Sequence, residues 1–137
     1  MEQATSTSLP TVTVVLPVRN EESFIAATLD HLLRQDYPSD RINIIVADGF
    51  SDDKTRDILA DYQAKYPRVQ FIDNPGRTAA SGLNVAIERA TGELIVRVDG
   101  HSEVAPDFVS QAVHLMEEHP EAWSAGGPIT HAGTNRF

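Results

Sequence analysis

"TVTVVLP", residues 11–17, is the stretch on which the fold turns. It is β-branched and apolar, which suits a buried strand, and Pro17 stops it. Three later runs share its character: "INIIVA" (42–47), "VQFI" (69–72) and "ELIVRV" (93–98). Between them the apolar residues recur at helical spacing. Asn20 is placed to cap a helix through Gln35, with Glu21 and Glu22 in its first turn and a stripe of Phe24, Ile25, Leu29, Leu32 and Leu33. A second helical stretch covers residues 53–66, with Ile58, Leu59, Tyr62 and Tyr66 on one face. A third runs from Thr78 to Ala90 and takes Gly92 as its C-cap. Pro106 opens a fourth, and "AWSAGGPIT" (122–130) reads as a fifth strand ending in a glycine turn. Strands alternating with such helices imply βαβ units, hence an α/β domain with a mostly parallel sheet and right-handed crossovers.

Composition narrows the classes. The 137 residues suffice for one domain with a core, and 41% apolar with 7% aromatic residues fits a soluble globular protein. No apolar run approaches the roughly 20 residues that span a bilayer. Residues 1–10 are polar, lack the features of a signal peptide and are expected to form a disordered leader to a domain over 11–137. With no cysteine there is neither a disulfide framework nor a thiolate metal site, and a cytoplasmic location is expected. A formal charge of −9 argues against a nucleic-acid surface. A protein this acidic can hold a polyphosphate only with local positive charge from arginine, a helix N-terminus or a metal ion.

In open parallel sheets ligands sit beyond the carboxyl ends of the strands. "PVRNEE" (17–22), "ADGFSDD" (47–53) and "DGHS" (99–102) therefore share one edge. Asp99 and His101, two apart in extended chain, point the same way and can converge on a cation, with Gly100 allowing close approach. The plainer alternative is a turn with a capping aspartate and a solvated histidine. Asp48 either caps the next helix, as Ser51 or Asp52 could, or presents its carboxylate to an N–H of a bound base. Arg19 and Glu21 lie at the same edge, although acidic residues also suit a helix start. Arg77 is a solvated turn residue or a phosphate clamp before a helix N-terminus. Neither G-x-G-x-x-G after the first strand nor G-x-x-x-x-G-K-[ST] occurs, and there is no G-x-S-x-G elbow.

Taken together, "VTVVLPVRNEESFIAATLDHLLRQDYP" (12–38), "INIIVADGFSDDKT" (42–55), "GLNVAIERATGELIVRVDGHS" (82–102) and "AGGPIT" (125–130) resemble a family 2 glycosyltransferase. The likeness covers nearly all of the chain after Thr11. The "RVD-x-H" in place of D-x-D is similar to the succinoglycan-biosynthesis glucosyltransferase group. This resemblance implies a GT-A fold, of which the chain would form the Rossmann-like, nucleotide-sugar-binding half. It implies base and ribose contacts at Pro17, Arg19, Glu21 and Asp48, a diphosphate contact at Arg77, and a cation held by Asp99 and His101. The cation would be Mn²⁺ or Mg²⁺, and the imidazole favours Mn²⁺. The implied reaction is inverting transfer of a hexose from a UDP-sugar to a glycan or lipid-linked acceptor, in exopolysaccharide or cell-envelope synthesis.

The resemblance also places the catalytic base beyond Phe137, in an acceptor half, so that this chain should bind the sugar donor without useful transfer. The whole protein is then expected in the cytoplasm, at the inner face of the membrane. Trp123 and Ile129 would be apolar surface awaiting cover, which favours dimerisation of the chain alone. Should it transfer sugar unaided, the base would be sought among Glu103, Asp107 and His131. The alternatives are a non-catalytic nucleotide-binding module and a nucleotidyltransferase, although the latter should carry a glycine-rich basic loop where "PVRNEE" stands.

Overall fold

The computed structural model describes residues 9–119 and the short strand 130–131. Strand β1 (Val12–Val18) lies between β2 (Ile42–Asp48) and β4 (Leu94–Arg97), with β3 (Val69–Asp73) outside β2. All three pairings are parallel, giving the order β3-β2-β1-β4. The register aligns Val18 with Asp48 and Asp48 with Asp73, so the carboxyl ends of three strands finish level. The chain is α/β and Rossmann-like, as expected.

Both faces of the sheet are covered, which is why β1 and β2 read as nearly unbroken apolar runs. Val12, Val14, Leu16 and Val18 pack on one face against Ile25, Leu29 and Leu32 of α1 (Ile25–Leu33). Leu59 of α2 (Thr55–Lys65), with Val109 and Val113 of α4 (Phe108–Glu118), completes that cluster. Val15, Ile45 and Ala47 face the other way, onto Ala86 of α3 (Ala79–Arg89). Thr78 caps α3, its hydroxyl accepting from Ser81 N–H while the Ser81 hydroxyl accepts from Thr78 N–H.

Several expectations are corrected. Asn20 does not cap α1, which begins at Ile25; it adopts φ 55°, and its side chain accepts from Asp52 N–H at 2.9 Å. Phe24 therefore leaves the apolar stripe. Pro106 lies in a turn just before α4. Of "AWSAGGPIT" only Thr130 is described; it belongs to β6 (Thr130–His131), which pairs antiparallel with β5 (Ser102–Glu103) and not with the main sheet. Trp123 and Ile129 lie outside the described residues, as do residues 1–8 of the leader. Leu9 and Pro10 are held, because Arg41 Nη1 donates to the Leu9 carbonyl and the Tyr37 hydroxyl to that of Pro10.

Gly92 is no C-cap either, since α3 ends at Arg89 and Ala90 leaves it in extended backbone. It passes against β1, where its N–H donates to Thr13 Oγ1 at 2.9 Å. A Cβ there would lie 2.5 Å from Thr13 N and 2.8 Å from the Val12 carbonyl carbon. Backbone on the central strand cannot give way cheaply, so Gly92→Ala should cost about 2 kcal/mol, within the range for overpacking. A lowered urea midpoint with an unchanged m-value is the expected result, and a wild-type midpoint would contradict it.

Candidate functional site

The strand order reverses between β1 and β4, and a cleft of about 310 Å³ opens at that point. The end of β1 contributes Pro17, Val18, Arg19 and Glu21, and the end of β4 contributes Arg97, Asp99, Gly100 and His101. Arg77, Thr78 and Ala79 bring the N-terminus of α3 to the third side. Six of the residues singled out from sequence thus meet around one space: Pro17, Arg19, Glu21, Arg77, Asp99 and His101.

The loops after β1 and β2 are laced together, which fixes the backbone that carries Glu21 to the cleft. Asn20 N–H donates to Ser51 Oγ at 2.7 Å and Glu21 N–H to Thr55 Oγ1 at 2.8 Å. In return Asp52 N–H reaches Asn20 Oδ1, and Lys54 N–H reaches Glu22 Oε1 at 2.8 Å. Glu22 and Asp53 therefore serve the start of α2, the role that sequence reasoning gave to Asp48, Ser51 or Asp52. Burial pushes the Asp53 carboxyl up, but hydrogen bonds from Thr55 and the Glu22 N–H outweigh it and hold the group below its ordinary range. Arg19 Nε donates to the Gly49 carbonyl at 3.1 Å. Gly49 must be small, because a Cβ would come within 3.1 Å of Arg77 Cα.

Asp48 does not line the cleft. It is fully buried. Its Oδ1 accepts from Ser51 Oγ at 2.6 Å, and Oδ2 accepts from Ser51 N–H at 3.0 Å and Arg56 Nη1 at 2.6 Å. Arg56 also donates from Nη2 to Asp73 Oδ1 at 2.7 Å, bridging two carboxylates on adjacent strands. These bonds raise the affinity of Arg56 for its proton, that to Asp73 most. As it stands, then, Asp48 holds the 49–51 turn and has no open face for a base. Phe50, left-handed at φ 60° and partly exposed, has the guanidinium carbons of Arg56 and Arg77 at 5.8 and 5.4 Å from its ring centroid. Arg77 is itself left-handed at φ 67°. Such backbone costs of order 1–3 kcal/mol per residue and gathers where function requires it.

On the β4 side Arg97 Nη2 lies 3.2 Å from Asp99 Oδ1, the two side chains pointing the same way from positions two apart. His101 Nδ1 lies 3.0 Å from Glu21 Oε2. Among the described residues no three His, Asp or Glu side chains converge as a metal cage. One carboxylate and one imidazole still fit a cation whose remaining ligands are substrate phosphates and water, the usual arrangement where Mg²⁺ or Mn²⁺ accompanies a nucleotide. Gly100 lines the cleft and also packs closely on protein: a Cβ there would meet Val18 Cγ1 at 2.7 Å and Glu21 Cγ at 3.2 Å. Sequence reasoning missed Arg97, Phe50 and Arg56. The position of Arg97, two before Asp99, was the available signal for the first.

Comparison with known proteins matches residues 13–137 to glycosyl transferase family 2. The chain is 32% identical over 114 residues to the succinoglycan biosynthesis protein ExoA of Rhizobium meliloti, covering 82% of this chain and 33% of that protein. The mannosyltransferase PcManGT of Pyrobaculum calidifontis, solved with GDP-Man and Mn²⁺, superposes with a TM-score of 0.75 at 32% identity, over 81% of this chain and 33% of that one. TarS 1-349 of S. aureus, solved with UDP, gives a TM-score of 0.69 at 26% identity, over 80% of this chain and 33% of that one. The chain spans between 17% and 40% of the length of the curated relatives it matches.

Proposed function

The chain belongs to glycosyl transferase family 2, and from that premise we propose that it forms the sugar-donor site of an inverting glycosyltransferase. The donor is a UDP-linked hexose, and the acceptor a growing glycan or a lipid-linked one in exopolysaccharide or envelope synthesis. The observation that carries this reading is the charge pattern of one cleft. In a chain of net charge −9, Arg19, Arg77, Arg97 and the N-terminus of α3 surround a single cavity with Asp99 and His101. Positive groups so concentrated in an acidic protein match a diphosphate.

Asp99 and His101 would hold a divalent cation, Mn²⁺ in preference to Mg²⁺, which when bound neutralises charge on the departing diphosphate. Arg77 and the first N–H groups of α3 act on the same charge, placed beforehand by the strained 74–77 turn. Pro17, Arg19 and the second oxygen of Glu21 bound the base and ribose end. Asp48 works from behind this wall by holding the 49–51 turn, whose Gly49 carbonyl anchors Arg19. We place the acceptor's base outside the described residues around the cleft, a reading supported by the engagement of Glu21 with His101 and of Asp99 with Arg97. We place the whole protein in the cytoplasm at the inner face of the membrane, although no described helix is long and apolar enough to cross it.

Calorimetry with UDP, and with GDP for contrast, tests the proposal. UDP should bind about tenfold or more tightly with Mn²⁺ than with EDTA, a difference of about 1.4 kcal/mol or more, and Mg²⁺ should be less effective. Equal affinity with and without metal would remove the cation from the site, and tighter binding of GDP would overturn the choice of base.

A further inference from the structure

Glu21 and His101 are 80 residues apart in sequence, yet Glu21 Oε2 lies 3.0 Å from His101 Nδ1. The backbone of Glu21 is fixed independently of this contact. Its N–H donates to Thr55 Oγ1, and its carbonyl accepts from the N–H groups of Phe24 and Ile25 at 3.0 and 2.9 Å. The missing Cβ of Gly100 opens the path along which the Glu21 side chain reaches the imidazole. Phe24 sets an edge contact on the same ring, with centroids 6.4 Å apart and planes at 63°. The imidazole is thus bounded on one side by a carboxylate and on another by an aromatic ring.

A neutral imidazole whose Nδ1–H is given to a carboxylate carries its lone pair on Nε2. We infer that Glu21 is a positioning residue for His101: it accepts the Nδ1 proton, fixes the tautomer and ring orientation, and so presents Nε2 to the cation. Nδ1 is taken, so a metal reaches this histidine through the other nitrogen. The inference rests on the reading of Asp99 and His101 as cation ligands, and it gives Glu21 a task beyond contact with ribose. Carboxylates behind metal-bound histidines raise the basicity of the ligand and restrict its rotation.

Two measurements test it. Long-range proton–nitrogen NMR of the metal-free protein, with imidazoles neutral and His101 assigned against His101→Ala, reads the tautomer directly. Wild type should show the Nδ1–H form, and Glu21→Ala should populate the Nε2–H form. Electron paramagnetic resonance then reads Mn²⁺ binding in the presence of UDP, where Glu21→Ala should bind about tenfold more weakly. Glu21→Gln, whose amide oxygen still accepts from Nδ1, should keep the wild-type tautomer and most of the affinity. A protonated Nε2 in wild type, or undiminished Mn²⁺ affinity in Glu21→Ala, overturns the inference while leaving the cation site standing. If wild type binds no Mn²⁺ at all, the cation site itself fails and this role falls with it.

Discussion

Replacing Arg56 by methionine is expected to lower the unfolding free energy by about 3 kcal/mol and the melting temperature by roughly 10 °C. Asp48 and Asp73 are register partners on adjacent parallel strands, and Arg56 alone is seen to bridge them among the described residues. The Asp48 side chain is 0% exposed and that of Arg56 35% exposed. Removing the cation leaves a buried carboxylate with only Ser51 for company and a second carboxylate beside it. A buried charge stripped of its partner typically costs 3–5 kcal/mol, and the partial exposure of Arg56 places this case at the low end of about that range. Asp73→Asn is the control. That side chain is 56% exposed, so its loss should change stability by no more than about 0.5 kcal/mol. Arg56→Lys should rescue little, because one ammonium cannot replace a planar fork that spans two acceptors. Urea melts of the three variants decide the matter, and a methionine variant as stable as wild type would show that Asp48 needs no counter-charge.

The second large effect is on binding. Asp99→Ala should weaken Mn²⁺ binding in the presence of UDP by roughly 100-fold, the upper end of what loss of an outer partner costs. The structure adds a sharper expectation. The Asp99 carboxylate is paired with Arg97, so its removal frees a guanidinium at the cleft and leaves Glu21 as the one carboxylate that lines it beside three arginines among the described residues. UDP should then bind the variant in EDTA at least as well as it binds wild type in EDTA, and added Mn²⁺ should change little. Calorimetry on the two proteins, with and without metal, gives all four affinities. A variant that keeps the wild-type gain from Mn²⁺ would move the cation elsewhere; one that loses UDP in EDTA as well would make Asp99 a direct contact of the nucleotide.

What the sequence made legible follows from the range of the interactions concerned. β1 and β2 depend on residues within a few positions of one another, and they were read correctly. The meeting of Arg19, Arg77, Asp99 and His101 was also accessible, because parallel strands oblige their carboxyl ends to share an edge. Asn20 and Glu22 were misassigned because their side chains serve a loop about 30 residues away, where local pattern carries no information. The same holds for Gly92, whose smallness answers to Thr13 on a different strand. Asp48 was recognised as special, but its burial depends on Arg56, which looks like any exposed residue in the first turn of a helix.

The interlaced loops after β1 and β2 bear on how such a protein can be altered. Residues 20–22 and 51–55 exchange hydrogen bonds in both directions, so neither segment keeps its shape if the other is replaced. Anyone grafting a nucleotide preference from a relative must transplant both together, and a chimera joined between them combines two halves of an unmatched clasp. Substitutions on the two sides should be strongly non-additive, and the pair constitutes a single unit of inheritance even though some 30 residues of chain separate its parts.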